Sequence, residues 1–406
     1  MSESAENDLG KELIGLCRAG RLYEVSNWIS EGKPLNISAA KRRGRQRSLL
    51  EIAVETGFHS LVELLAKNES SQLVRDAALD LAVSLRRLDL IELLCANGAD
   101  ARSVPLADVL LTWQPELFRF FLDHGADTSN GRPFAQALGA RVRTALRVFL
   151  DYKRAHPEHA TQLQEQIDCA LRHFCDKGDL KWVCLLIWAG ADPRSSGPIL
   201  NEEYTEDPAC FTSGLEQACH PESVDVLKKL KPDSNRDDLA KLLHCAAFWS
   251  RSATLEYLLE IGAQPNDKAN GGSSALGIVL RGLSFVRVGI HGAERLASHY
   301  EVRRTFDCVS VLISHGAVWR PDRGYELTSL RRALVECEPA VTIDLLGIFR
   351  KHNVCAAETV HKLLGTPLMR EHLKSETNAL LRLGIHLDTK PISGRWKGIG
   401  QTKAAR

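Results

Sequence analysis

Residues whose types could do chemistry are scattered along this 406-residue chain and form no complete catalytic motif. The segment Gly398–Lys403 reads GIGQTK and has the glycines of a phosphate-binding loop, but it follows no strand pattern and opens no helix pattern. His156 and His159 have a spacing that zinc ligands can use, yet a proline lies between them and no cysteine is near. Cys169 and Cys175 have no activating neighbour. The sequence therefore predicts no catalytic residue, no metal site and no cofactor.

Three charged segments are instead candidates for binding a macromolecular partner, because a dense local charge attracts an oppositely charged surface. Residues 41–47 read KRRGRQR, residues 195–214 carry an acidic cluster around a tyrosine, and the basic tail places a tryptophan between two cations. Tryptophan beside arginine is typical of interface hot spots. The candidate residues are Lys41, Arg42, Arg43, Arg45, Arg47, Glu202, Glu203, Tyr204, Glu206, Asp207, Arg395, Trp396 and Lys397.

Each segment also has a plainer interpretation. The basic and acidic runs could be solvated loops, because blocks of like charge usually face water. Trp396 could instead cover the hydrophobic face of the last structural element. The basic run could also be a nuclear-import signal or a site for nucleic acid, although no aromatic residue interleaves with its arginines.

The elements that must position these segments come from a phrase that recurs along the chain. Apolar residues at helical spacing lead into Gly-Ala-Asp or a close relative, as in IELLCANGAD at 91–100, VCLLIWAGAD at 183–192 and LEYLLEIGAQ at 255–264. A second glycine lies inside the unit: Gly20 and Gly32 are 12 residues apart, and so are Gly178 and Gly190. Glycine ends a helix by accepting a left-handed conformation, so each unit is predicted to be two short helices joined at the inner glycine.

The period of this phrase is close to 33 residues, since Gly32 and Gly98 are 66 residues apart with one copy between them. The best copy is LLHCAAFWSRSATLEYLLEIGAQPN at 242–266. This copy has the Leu-His, Ala-Ala, Leu-Leu and Gly-Ala pairs of the ankyrin repeat in order. Through this copy and the shared period, the chain resembles the ankyrin-repeat family over nearly its whole length. The resemblance implies that His244 ties a turn together and has no catalytic role.

The predicted fold is an all-α, ankyrin-type solenoid of about eleven helix-turn-helix repeats with finger loops. The copies begin near Glu12, Ser48, Ala77, Val104, Arg132, Cys169, Gly214, Lys241, Ser273, Ser329 and Ala356, and the fifth, seventh, tenth and eleventh are degenerate. The solenoid is expected to span 1–388, with a long finger at 195–214 and an insertion at 283–305 that could equally be a long first helix. Residues 389–406 are expected to be a disordered basic tail.

Composition supports a globular class without naming a function. The net charge of +1 provides no global attraction to nucleic acid or membranes. Eleven cysteines, placed singly among apolar neighbours, predict reduced thiols and a cytoplasmic location; nuclear entry through 41–47 or secretion as an effector are alternatives. No signal peptide and no membrane-spanning run is evident.

Three functions follow as hypotheses. The first is a non-catalytic scaffold that binds a protein on the concave face and finger loops of the solenoid, as the resemblance implies. The second is a regulatory or inhibitory subunit of a separate enzyme, such as an immunity, effector or defence component. The third is nucleic-acid binding through residues 41–47 and the basic tail, which would weaken steeply as salt rises.

Overall fold

The structure is a computed structural model that describes residues 3–33, 35, 47–200, 210–268, 273–285, 299–318, 339–352 and 367–384. Its contacts divide the chain into two units, Met1–Gln217 and Ala218–Arg406. The described residues of both units are helical and contain no β-strand, only two isolated bridges, Gly197 with Thr212 and Lys268 with Ser274. The predicted all-α class is confirmed.

The first unit contains the helices α1 (Glu3–Arg18), α2 (Leu22–Ser30), α3 (Leu49–Thr56), α4 (His59–Asn68), α5 (Gln72–Ser84), α6 (Leu88–Ala96), α7 (Leu106–Leu110), α8 (Pro115–Asp123), α9 (Pro133–Gly139), α10 (Arg143–Ala155), α11 (Ala160–Lys177), α12 (Leu180–Trp188) and α13 (Gly214–Gln217). The second unit contains α14 (Asp225–Leu230), α15 (Leu239–Phe248), α16 (Ser252–Glu260), α17 (Ala275–Phe285), α18 (His299–Ser314), α19 (Pro339–Lys351), α20 (Pro367–His372) and α21 (Thr377–Arg382).

From α1 to α12 and from α15 to α18 the helices form the predicted pairs, and neighbouring pairs stack in two layers. First helices pack on first helices, as α1 on α3, α3 on α5, α9 on α11 and α15 on α17; second helices pack on second helices, as α4 on α6, α8 on α10 and α16 on α18. Each pair therefore buries its apolar side against its neighbours, which is how a repeat array builds a core. Aromatic residues fill that core; Phe134 and Phe149, for example, meet edge to face at 5.3 Å.

The recurring Gly-Ala pair ends the second helices by a Schellman motif. After α6, the Gly98 amide donates to the Cys95 carbonyl at 3.1 Å and the Ala99 amide donates to the Leu94 carbonyl at 3.0 Å. Gly98 has φ 93°, which only glycine adopts without strain, and the alanine packs inward against the helix end. The same left-handed glycine follows α2, α8, α12, α16 and α18.

The turn inside the pair is also left-handed in seven pairs, whether or not glycine occupies it. Glycine stands there after α1, α3 and α11, whereas Arg86, Trp113, Arg141 and Ser250 adopt φ values of 53° to 66° after α5, α7, α9 and α15. A non-glycine residue in this conformation costs about 1–2 kcal/mol. The glycine-less copies therefore keep the predicted turn at the cost of local strain.

The two glycine turns of the first helix pair provide a matched pair of substitutions in the first unit. A Cβ at Gly20 would lie 2.5 Å from the Phe58 ring, whereas a Cβ at Gly32 would meet nothing within 4 Å; both residues have positive φ. We expect Gly32→Ala to lower the free energy of unfolding by about 1 kcal/mol and Gly20→Ala by about 2 kcal/mol, because only the second also displaces a ring. Urea denaturation checks this order, and equal losses would contradict the assigned role of Phe58.

Three expectations about boundaries are refined. The first helix of the sixth pair begins at Ala160, well before the expected start near Cys169. In the ninth pair, α17 and α18 both extend into the expected insertion at 283–305. The first helices expected near Ser329 and Ala356 lie outside the described residues, as do residues 201–209 of the finger and the whole tail from 389.

Candidate partner-binding surfaces

Of the residues that the sequence singles out for partner binding, Arg47 alone lies within the described part of the chain. Its exposed guanidinium forms an ion pair with Glu55 of α3, which keeps the pKa of that carboxyl below its usual range. An exposed pair of this kind contributes little to stability. Lys41, Arg42, Arg43, Arg45, Glu202, Glu203, Tyr204, Glu206, Asp207, Arg395, Trp396 and Lys397 lie outside the described residues.

The base of the finger is described, and it lies on α11. Residues 195–200 leave the closing turn of the sixth pair, and Gly197 pairs with Thr212 through two backbone hydrogen bonds of 3.1 and 3.2 Å. The Arg172 side chain donates from Nε to the Pro198 carbonyl at 3.0 Å and from Nη1 to the Ser195 carbonyl at 3.1 Å. This arginine is 1% exposed, so the finger base covers the outward side of α11.

The fit around Arg172 depends on glycine. A Cβ at Gly197 would lie 2.5 Å from Arg172 Nη2. Leu200 packs against Gly139 of α9 at the far end of the same segment. The first-helix side of the sixth pair is thus occupied by the protein's own chain. Nothing in the sequence pattern predicts this contact, because an arginine in a helix pattern usually faces solvent.

In the second unit the first helix α15 keeps an exposed side. Lys241, Cys245 and Phe248 follow one another at helical spacing, and Trp249 comes directly after the helix. The Phe248 side chain is 68% exposed and Trp249 is 43% exposed. The two rings meet edge to face at 5.4 Å, and His220 packs on Trp249 at 4.6 Å. The structure therefore holds two aromatic rings in fixed positions at the surface.

A network of charged side chains holds the segment that carries His220, the residue that packs on Trp249. Arg251 donates from Nε to the His220 carbonyl, and its Nη1 lies 3.7 Å from the Glu222 carboxylate. Arg304 of α18 lies 3.1 Å from the same carboxylate. These contacts fix the loop that carries His220, and with it the face on which Trp249 rests. We call Phe248 and Trp249 the aromatic pair.

The groups that could have been reactive have structural surroundings. Burial raises the pKa of the Cys17 thiol to about 11 and of the Cys175 and Cys308 thiols to about 12, so these cysteines stay protonated at neutral pH. His244 is buried and donates from Nε2 to the Asp267 carbonyl at 3.1 Å, as a turn-tying residue does. Among the residues that the structure describes, no cluster of side chains could hold a metal ion.

Comparisons with known proteins add one similarity. The chain is similar to the ankyrin repeat domain of human ASB11 at 15% identity, over 76% of this chain and 99% of that domain, with a TM-score of 0.27. The helix pairs and turns described above define an all-α repeat array. No family model and no curated protein sequence matches the chain. Over the described ranges, no helix is long and apolar enough to span a membrane.

Proposed function

We propose that this protein is a non-catalytic interaction scaffold of the cytoplasm that binds a protein partner through the exposed side of its first helices. The observation that carries the proposal is the aromatic pair at the end of α15. Tryptophan is one of the residue types that dominate interface energies. Repeat arrays present such residues on a rigid surface, which lowers the entropic cost of binding.

The energetics favour a partner over a solvent-facing role. Burying a large apolar side chain contributes about 1.5–3 kcal/mol, so an exposed Phe248 and Trp249 leave a substantial free energy unused in the isolated chain. Their fixed geometry distinguishes them from scattered surface residues. The basic run at 41–47, the acidic part of the finger and the tryptophan of the tail remain candidate secondary contacts.

The proposal is tested by affinity purification from the native cell with the full chain as bait. The wild-type chain should retain a stoichiometric protein, and the double variant Phe248→Ser, Trp249→Ser should lose it. Leu381→Ser is the matched control, because Leu381 is an apolar residue of the same unit whose side chain is 46% exposed. Circular dichroism confirms that each variant keeps its helices.

The outcomes separate the hypotheses. Loss of the partner from the double variant but not from the control supports the aromatic pair as the anchor. Equal retention by all three chains contradicts that assignment. Retention of nucleic acid alone, or of no stoichiometric protein by the wild-type chain, overturns the proposed function. An enzyme as the retained protein would make this chain its regulatory subunit.

A further inference from the structure

The repeats themselves show which positions of a second helix face solvent. In six second helices, the residue two positions before the closing glycine is exposed. These residues are Ser30, Ala96, Asp123, Trp188, Glu260 and Ser314. Five of these residues are small or charged, as a solvent-facing position requires. The sixth is a tryptophan with 74% of its surface exposed. This residue departs from the pattern of its own repeat array.

A second departure lies one helical turn earlier. The position six places before the closing glycine holds Glu92, Arg119 and Glu256 in α6, α8 and α16 and serine in α2 and α18, but Cys184 in α12. Lys181, Cys184, Leu185 and Trp188 share one side of α12, because residues three and four apart are neighbours on a helix. At the positions of Cys184 and Trp188, α12 thus carries a thiol and a large apolar ring where its counterparts are charged or small.

Exposed cations lie on α10 and α12. Arg141, just before α10, bonds to Asp179, just before α12, at 2.8 Å, and this contact holds the starts of the two helices side by side. Arg143 and Arg147 on α10 and Lys181 on α12 are exposed, and none has an ion partner among the described residues. The α10 carboxylate of Asp151 is paired with Arg154 at 3.8 Å. Among the described residues, the exposed charges of α10 and α12 that have no ion partner are therefore all positive.

We infer that the outer surface formed by Arg143, Arg147, Lys181, Cys184, Leu185 and Trp188, here named the Trp188 face, binds an acidic protein segment that carries an apolar side chain. The apolar residue covers the stripe beside Trp188, and the carboxylates meet the three cations. A second copy of this chain fits poorly, because a twofold contact would place like charges opposite one another. The stripe is largely aliphatic, which favours a peptide over stacked bases.

This inference rests on the proposed function and adds a second partner site in the first unit. It uses none of the residues of the aromatic pair. The two can therefore fail separately: loss of binding through Phe248 and Trp249 leaves the Trp188 face untouched, and the reverse also holds.

The test uses the full chain and two variants. Trp188→Asp places at this position the residue type that α8 already has in Asp123, so the helix should tolerate it. Tyr23→Asp is the matched control, because Tyr23 is a surface aromatic of a second helix in the same unit, 84% exposed. Random 16-residue peptides displayed on phage are selected on the wild-type chain and depleted on Trp188→Asp.

We expect the enriched peptides to be net acidic with an aromatic or aliphatic anchor. As synthetic peptides in fluorescence anisotropy, they should bind Trp188→Asp and the double variant Arg143→Glu, Arg147→Glu at least about tenfold more weakly than wild type. They should bind Tyr23→Asp unchanged, and their affinity should fall as salt rises.

Four results would overturn the inference. The selection could yield no enriched peptide, or it could enrich neutral or basic peptides. Tyr23→Asp could weaken peptide binding as much as Trp188→Asp does, or a 16-nucleotide RNA could displace the bound peptide. Self-association of the wild-type chain that disappears in Trp188→Asp, measured by light scattering, would assign the face to a second copy instead.

Discussion

Replacement of Arg172 by alanine is expected to lower the free energy of unfolding of the unit Met1–Gln217 by about 3–5 kcal/mol. The side chain is among the largest that the structure buries completely. Its removal leaves a cavity in the array and deprives the Ser195 and Pro198 carbonyls of their donors. The substitution therefore combines two of the most destabilising mechanisms known for single mutations.

The same change should release the finger base from α11. The hydrogen-exchange rate of the amides in residues 195–200 should rise at least tenfold. The reason is that losing the Arg172 hydrogen bonds lowers the free energy of local opening by more than about 1.4 kcal/mol. Tryptophan fluorescence in urea gives the stability, since Trp182 stacks on Phe174 at 5.0 Å inside this unit. Arg119→Ala, an exposed arginine of α8, is the matched control and should cost less than about 0.5 kcal/mol.

Two further variants identify the cause. Arg172→Lys keeps a positive charge but lacks the planar fork, so it should recover only part of the loss. Gly197→Ala should loosen the same segment from the opposite side, because its methyl group would meet Arg172 Nη2. A wild-type exchange rate at 195–200 in Arg172→Ala would show that the arginine does not hold the finger.

The helix pairs could be read from the sequence because glycine occupies the closing turn after α2, α6, α8, α12, α16 and α18. Gly98 and Gly190 take φ values that side chains resist, so the recurring glycines mark the helix ends directly. The burial of Ala99 and Ala191 explains the second letter of the phrase. Even glycine-less copies could be placed, because the period locates a turn that Ser250 adopts under strain.

The candidate surfaces could not be predicted in the same way. Arg172 lies in a helix pattern between Leu171 and His173, and periodicity does not tell that a later segment covers it. Trp188 looks like one more apolar residue of α12 until the helices are compared position by position. Exposure of a residue depends on what packs above it, and that information is carried by distant parts of the chain.

A set of side-chain hydrogen bonds that the apolar periodicity does not predict occurs in both α5 and α11, and the second large prediction depends on it. In α11, Gln164 donates from Nε2 to the Gly190 carbonyl at 2.9 Å and to Asp168 Oδ1 at 2.8 Å, and the Asp192 amide donates to Asp168 Oδ1 at 2.7 Å. In α5, Gln72 and Asp76 make the same bonds to the closing turn of α6, at 2.9, 2.8 and 3.0 Å. In these two pairs the first helix thus holds the turn that ends its own pair through side-chain hydrogen bonds.

The two copies differ in burial, so the same substitution should have different costs. Asp168 is 2% exposed, whereas Asp76 is half-buried. We expect Asp168→Ala to lower the free energy of unfolding by about 3 kcal/mol and Asp76→Ala by about 1 kcal/mol. A buried amide left without its acceptor bears the full desolvation penalty, whereas water can reach the amide at the half-buried site.

Urea denaturation of the two variants measures this difference, and hydrogen exchange of the Asp192 and Asp100 amides localises it. Asp168→Asn keeps an oxygen at Oδ1 and should recover most of the stability, which separates the loss of the acceptor from the loss of charge. A double-mutant cycle of Asp168→Ala with Gln164→Ala should give a coupling energy of about 1 kcal/mol, because the two side chains share one bond and one turn. Equal costs for Asp168→Ala and Asp76→Ala would mean that burial does not set the strength of this tie.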